Sequence, residues 1–157
     1  VTMMAELLDS YIEENNAEVF IFPFQETQDK KVCEALKNKM KFGARIIERK
    51  YSLPQMMGLM GEMDLIVGMR LHSLIFALNL GIPVLGLSYD PKVANLMQML
   101  NLPWLSIEGF TREELVNTMA KVYLDRGIIR EKLPGRVQLL KNKAKCNIKL
   151  LKEVLDK

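Results

Sequence analysis

The chain has 157 residues, of which 49% are hydrophobic and 26% charged, a balance that fits one globular domain with a sizeable core. A formal net charge of +3 is too small to argue for nucleic acid as a partner. No run of about 18 apolar residues offers a membrane-spanning helix, and Cys33 and Cys146 are too few for a disulfide framework or a thiolate metal site.

Met3, Met4, Leu7, Leu8, Tyr11 and Ile12 recur at helical spacing, which predicts an amphipathic helix over 2–15. The chain opens inside that helix without an initiator methionine or a signal-peptide pattern, and reads as a segment of a longer protein with a cytoplasmic setting. Val19–Phe22, ending at Pro23, reads as a buried strand. Gln25–Gln28 then reads as a polar loop, and Asp29 as the cap of a helix to about Met40 with Val32, Leu36 and Met40 on one face. After Gly43, Ala44–Glu48 is a second, weaker strand. Ser52 can cap a helix over Leu53–Gly61, with Pro54 in its first turn and Met56, Met57, Met60 and Met63 as core filling.

Leu65–Gly68 reads as a compact buried strand, followed by a helix over Leu71–Leu80 that Gly81 ends. Pro83–Leu87 is another buried strand, Pro91–Asn101 a helix, and Trp104–Ile107 a short strand. Thr111-Arg-Glu-Glu114 has the form of a capping box before a helix to Asp125, which Arg126-Gly127 closes. The remainder, 128–156, reads as a helical segment with a kink or break at Pro134-Gly135. It carries Lys141, Lys143, Lys145, Lys149 and Lys152, either a solvated face or a surface suited to an anionic membrane or glycan carrier.

A leading helix followed by five strands, each with a helix behind it, predicts a three-layer α/β domain with a Rossmann-like parallel sheet spanning 1–157. In such sheets ligands lie beyond the carboxyl ends of the strands. That rule singles out three loops: Pro23–Gln28, Gly68–His72 and Ser88–Lys92.

The second loop carries the most chemistry. Gly68 lets the chain turn and a ligand approach, and the unpaired amides of the helix from Leu71, Ser73 included, favour an anion. Arg70 adds a planar fork of donors matched to carboxylate or phosphate. His72, the single histidine, can donate a proton, or else be a structural residue of the first turn. If the strand at 65–69 neighbours that at 83–88, Tyr89 and Lys92 can face Arg70 and His72. Lys92 is then a phosphate partner or an exposed first-turn lysine, and Asp90 an acceptor contact or a helix cap before Pro91. Gln25 and Gln28 can contact sugar hydroxyls or a phosphate, or simply form a polar turn that ends in the Asp29 cap. No strand is followed by Gly-x-Gly-x-x-Gly, no P-loop or nucleophile elbow occurs, and no His/Cys/carboxylate cluster suggests a metal.

The run Asp64-Leu-Ile-Val-Gly-Met-Arg-Leu-His-Ser-Leu-Ile-Phe-Ala77, followed by Gly81-Ile-Pro-Val84 and Tyr89-Asp-Pro-Lys-Val93, resembles the polysaccharide pyruvyltransferases, in particular their CsaB group. The loop Pro23–Asp29, with a Gln before an Asp, is also similar to that family's. The resemblance implies one half of a two-domain fold like that of GT-B glycosyltransferases, with an N-terminal domain absent from this chain and the isolated fragment inactive. It implies transfer of a pyruvyl (carboxyethylidene) group from phosphoenolpyruvate, without another cofactor, to a sugar of a cell-wall polysaccharide or its lipid-linked precursor. It further implies His72 as the acid, with Arg70 and Lys92 holding the donor and Gly68, Ser73 and Tyr89 around it. The rival expectation keeps the fold but binds a UDP-sugar, as half of a GT-B glycosyltransferase or a nucleotide-sugar epimerase. An acidic residue for ribose hydroxyls would mark that rival, and Arg70 and His72 stand in its place.

Overall fold

A computed structural model describes the backbone of residues 1–47 and 51–155, with side chains described for 1–25, 27–47 and 51–146. Glu48, the expected end of the second strand, the side chains of Lys149 and Lys152, and the helix end at 156 lie outside the described residues.

The elements follow one another as α1 (Thr2–Asn15), β1 (Phe20–Ile21), α2 (Glu26–Lys39), β2 (Arg45–Ile46), α3 (Leu53–Gly61) and β3 (Ile66–Gly68). Then come α4 (Leu71–Asn79), β4 (Val84–Ser88), α5 (Pro91–Met99), β5 (Trp104–Ser106), α6 (Arg112–Leu124) and α7 (Arg126–Leu155). The alternation expected from the hydrophobic pattern is therefore present, and all strand pairs are parallel. Among the described residues the strands form two small sheets and not one continuous sheet. β1 pairs with β2, and β3-β4-β5 form a second sheet with β4 at its centre.

β4 explains why this is a layered fold. Its five residues are all buried, and successive side chains point to opposite faces. Val84 joins a core built from Met56 and Met60 of α3, Leu74, Ala77 and Leu78 of α4, Val93 and Met97 of α5, and Leu133 and Val137 of α7. Leu85 and Leu87 join a second core with Leu7 of α1 and Leu115, Met119 and Val122 of α6. Val84 and Leu85 are 0% exposed, and complete burial of such a side chain contributes about 1.5–3 kcal/mol. The sheet around β4 is thus covered on both faces, which is compatible with a Rossmann-like arrangement.

The outer strands differ from expectation. Phe20 and Ile21 of β1, and Leu65, Ile66 and Val67 at β3, are only partly buried, although their apolar runs predict full burial. Both strands are at the limits of short sheets, so neighbours cover them incompletely. In α2, Met40 is buried beyond the helix end while Val32 is 56% exposed, because the helix packs mainly against α1 and β2 and Val32 lies away from them.

Local signals work well at α3 and α6. The side chain of Gln55 accepts from the Ser52 amide at 2.9 Å, and Glu114 and Thr111 form the reciprocal capping box at 2.7 and 3.1 Å. Gly81, at φ +72°, occupies the left-handed position after α4 that a Cβ would oppose.

The last helix corrects two expectations. Arg126-Gly127 does not close α6 but opens α7, and α7 continues through Pro134 without a break. Proline removes one helix hydrogen bond and crowds the preceding turn. Packing outweighs that cost here. Leu133 and Val137 are 1% and 9% exposed on either side of it, and Arg136 donates from Nη1 to the carbonyls of Leu100 at 2.9 Å and Asn101 at 3.0 Å. Among the described residues no helix is long and apolar enough to cross a membrane.

Candidate active site

β3 and β4 are hydrogen-bonded neighbours, with Gly68 opposite Gly86. Their carboxyl ends therefore bring the loops after Gly68 and Ser88 side by side, as the expected strand order required. α4 begins at once after β3, with Arg70 as its N-cap residue. Ser73 is buried, and its hydroxyl donates to the Arg70 carbonyl at 2.7 Å. At Gly68 an added Cβ would meet Leu74 Cδ2 at 2.7 Å and Ser73 Oγ at 3.1 Å. The first reason for glycine here is thus the close approach of α4, which pins the helix start against the strand end.

The next loop is organised in the same way. The Ser88 hydroxyl donates to the Asp90 carbonyl at 2.9 Å, and Asp90 Oδ1 accepts from the Lys92 amide at 2.8 Å. Asp90 is accordingly the N-cap of α5, with Pro91 in the first turn.

Arg70 leans away from its own helix and crosses to α2. Its Nη2 donates to Asp29 Oδ1 at 2.6 Å and to Gln28 Oε1 at 3.1 Å. The ion pair is largely screened from water, with 31% of the Arg70 side chain and 19% of that of Asp29 exposed. The other carboxylate oxygen, Oδ2, accepts from the backbone amides of Phe24 at 3.1 Å and Gln25 at 2.8 Å. Burial pushes the Asp29 carboxyl up, but the Arg70 guanidinium and the two amides outweigh it and hold the group below the usual carboxylate range. Reciprocally, the hydrogen bond that Arg70 donates to Asp29 raises Arg70 further, against a smaller effect of burial, and Tyr89 from the neighbouring loop adds to the rise.

The helix after β1 therefore begins earlier than its sequence suggests. Gln25 is the N-cap, residues 26–28 are already helical, and Asp29 is not a cap but lies in the second turn. Its carboxylate reaches back to the entering backbone and forward to Arg70. Phe24 packs on Phe76 of α4, ring centroids 5.9 Å apart, and holds the loop against the same edge.

The structure brings together Arg70, Gln28, Asp29 and Tyr89. His72 and Lys92 are exposed in the first turns of α4 and α5, and their side chains make no hydrogen bond or ion pair with a described residue. Tyr89 is 49% exposed, and Gln25 is exposed at the start of α2. The sequence reading did not foresee the ion pair between Asp29 and Arg70. One signal for it was present: an acid just after the first strand lies on the same edge as Arg70, where a partly buried guanidinium needs an anionic partner. The arrangement offers one oriented guanidinium, two exposed side chains able to carry protons or charge, and two helix starts, all at the carboxyl ends of parallel strands. It suits a small anionic ligand.

No solved structure matches the chain. A sequence model of the family described as polysaccharide pyruvyl transferase matches residues 3–91. The match covers more than half of the chain, includes Asp29, Arg70 and His72, and ends one residue before Lys92. The chain thus belongs to the polysaccharide pyruvyl transferase family.

Proposed function

We propose that this chain forms the donor side of a phosphoenolpyruvate-dependent pyruvyltransferase, one half of a GT-B-like cleft, acting on a sugar of a cell-wall polysaccharide or of its lipid-linked precursor. The observation that supports the reading is the pairing of β3 with β4, whose carboxyl ends lead into the loop with Arg70 and His72 and the loop with Tyr89 and Lys92. Arg70 takes the donor's carboxylate or phosphate through donors that Asp29 and Gln28 do not hold, and Lys92 takes the other charge. The amides at the start of α4, at Leu71 to Ser73, add partial positive charge. Gly68 and Ser73 hold that start in place, and Tyr89 flanks Arg70. Gln25 lies at the rim toward the acceptor, and Asp90 serves as the α5 cap.

The reaction wants an acid beside an anion site. His72, protonated, gives its proton to the methylene carbon of phosphoenolpyruvate, which leaves an oxocarbenium-like centre at the adjacent carbon. One sugar hydroxyl attacks that carbon and its proton passes to solvent or back to His72. The carbon–oxygen bond to phosphate then breaks, and a second hydroxyl closes the ketal with loss of its own proton. Arg70 and Lys92 stabilise the departing phosphate. The basic stretch from Lys141 suits an anionic acceptor carrier at the cytoplasmic face of a membrane.

Two measurements test the reading. Titration of the chain with phosphoenolpyruvate, and in parallel with a UDP-sugar, is followed by the ring signals of His72, the single histidine. Phosphoenolpyruvate should shift them and Arg70→Ala should remove the shift, whereas a response to the UDP-sugar alone would favour a nucleotide-sugar enzyme. In the full-length enzyme, His72→Ala should abolish transfer while the fold is retained; an active, folded variant would refute His72 as the acid.

A further inference from the structure

We infer that Asp29 is a positioning residue of the donor site, acting through Arg70. The inference rests on the donor reading given above. Its starting point is the division of labour on one carboxylate. Oδ2 is occupied by two backbone amides, those of Phe24 and Gln25, so the carboxylate cannot turn without breaking the entry to α2. Oδ1 is thereby fixed in space, and Arg70 Nη2 sits on it at 2.6 Å. Gln28 accepts from the same nitrogen at 3.1 Å.

Both contacts leave from Nη2. A guanidinium carries five N–H donors in a rigid plane. Holding two of them from one nitrogen sets the plane, leaves Nε and Nη1 unbound by Asp29 and Gln28, and leaves Tyr89 as the other side chain hydrogen-bonded to the guanidinium. Those remaining donors are the ones an incoming carboxylate or phosphate would meet. Without Asp29, the long Arg70 side chain keeps its charge but loses its direction. A small displacement of a charged fork weakens ligand binding out of proportion to its size.

The pairing also spans the two sheets. Asp29 rides on α2, which follows β1, and Arg70 follows β3; β1 and β3 belong to separate hydrogen-bonded sheets. The Asp29–Arg70 pair, with the Phe24–Phe76 contact, ties them together at the ligand edge. The placement of Arg70 therefore depends on α2 as well as on its own strand.

A competing effect has the opposite sign. Asp29 is an anion near an anionic ligand, and its removal would relieve repulsion. Two backbone amides and one guanidinium already neutralise it, so loss of orientation is the larger effect.

The test is calorimetric titration of the full-length enzyme with phosphoenolpyruvate, for the wild type, Asp29→Asn, Asp29→Glu, Arg70→Ala and the Asp29→Asn/Arg70→Ala double variant. Asp29→Asn should weaken binding about tenfold, Asp29→Glu should recover part of the loss, and Asp29→Asn should add nothing once Arg70 is alanine. A merely structural role would weaken binding equally in both backgrounds. Wild-type affinity, or tighter binding, in Asp29→Asn while Arg70→Ala still binds measurably more weakly than wild type would overturn the positioning role and leave the donor site standing. Failure of the wild type to bind phosphoenolpyruvate would overturn the donor reading and this inference with it.

Discussion

Replacing Gly68 by alanine tests the reason for glycine at the end of β3. The added Cβ would lie 2.7 Å from Leu74 Cδ2, 3.0 Å from Leu74 Cγ and 3.1 Å from Ser73 Oγ. An ordinary carbon–carbon contact is about 3.5–4.0 Å, so roughly 1 Å of room is missing. Leu74 is 0% exposed and has no free space to enter, and Ser73 is held by its bond to the Arg70 carbonyl. Relief must come from moving the first turn of α4. Overpacking of this kind costs about 1–3 kcal/mol. Gly68 is not among the glycines with positive φ, so alanine also restricts the unfolded chain and returns about 0.4–1 kcal/mol. The net expectation is a loss of about 1–2 kcal/mol, which in a chain of this length lowers Tm by about 2–8 °C. Thermal unfolding followed by far-ultraviolet circular dichroism measures it. Because the displaced turn carries Arg70 and His72, the proposed response of the His72 ring signals to phosphoenolpyruvate should weaken by more than the stability change explains. An alanine variant as stable as the wild type would refute the packing argument.

Two further predictions concern positions away from the site. Gly58 lies inside α3, where an added Cβ meets nothing within 4 Å, so Gly58→Ala should stabilise the chain by about 0.5–1 kcal/mol; a lower unfolding midpoint would show an unforeseen clash. The Tyr11 hydroxyl is buried without a partner among the described residues, and burial followed by the neighbouring Tyr123 pushes its pKa up to about 12. The folded state thus keeps the phenol protonated where the unfolded chain releases the proton, so this contribution is intact below about pH 10 and is lost as pH rises through about 12. Tyr11→Phe should flatten that alkaline decline and leave neutral stability equal or about 0.5–1 kcal/mol higher, as urea unfolding at several pH values will report; a variant weaker at neutral pH would mean that the hydroxyl makes a bond.

The placement of the candidate residues was largely legible because its signals are local. Gly68-Met-Arg-Leu-His-Ser73 places a cationic fork and a titratable ring at a strand-to-helix junction within six residues, and the rule about strand ends identifies the edge. The same holds for Asp90-Pro91 as a helix start and for the capping box at Thr111. Asp29 was misread for a related reason. An Asp after a polar loop is a good cap by propensity, yet helix α2 begins at Glu26 because Asp29 can satisfy the Phe24 and Gln25 amides from within the helix.

Sequence by itself determined the order and type of the elements, since hydrophobic period, glycine stops and caps act over a few residues. Only the tertiary structure decided what long-range packing controls. It divides the strands between two sheets, leaves β1 partly exposed, and carries α7 through Pro134 because Leu133 and Val137 are buried on either side. It also pairs Arg70 with Asp29 across 41 residues of chain. No periodicity encodes that contact. It forms because the parallel strands end at one edge, where an anion already held there favours a partly buried guanidinium.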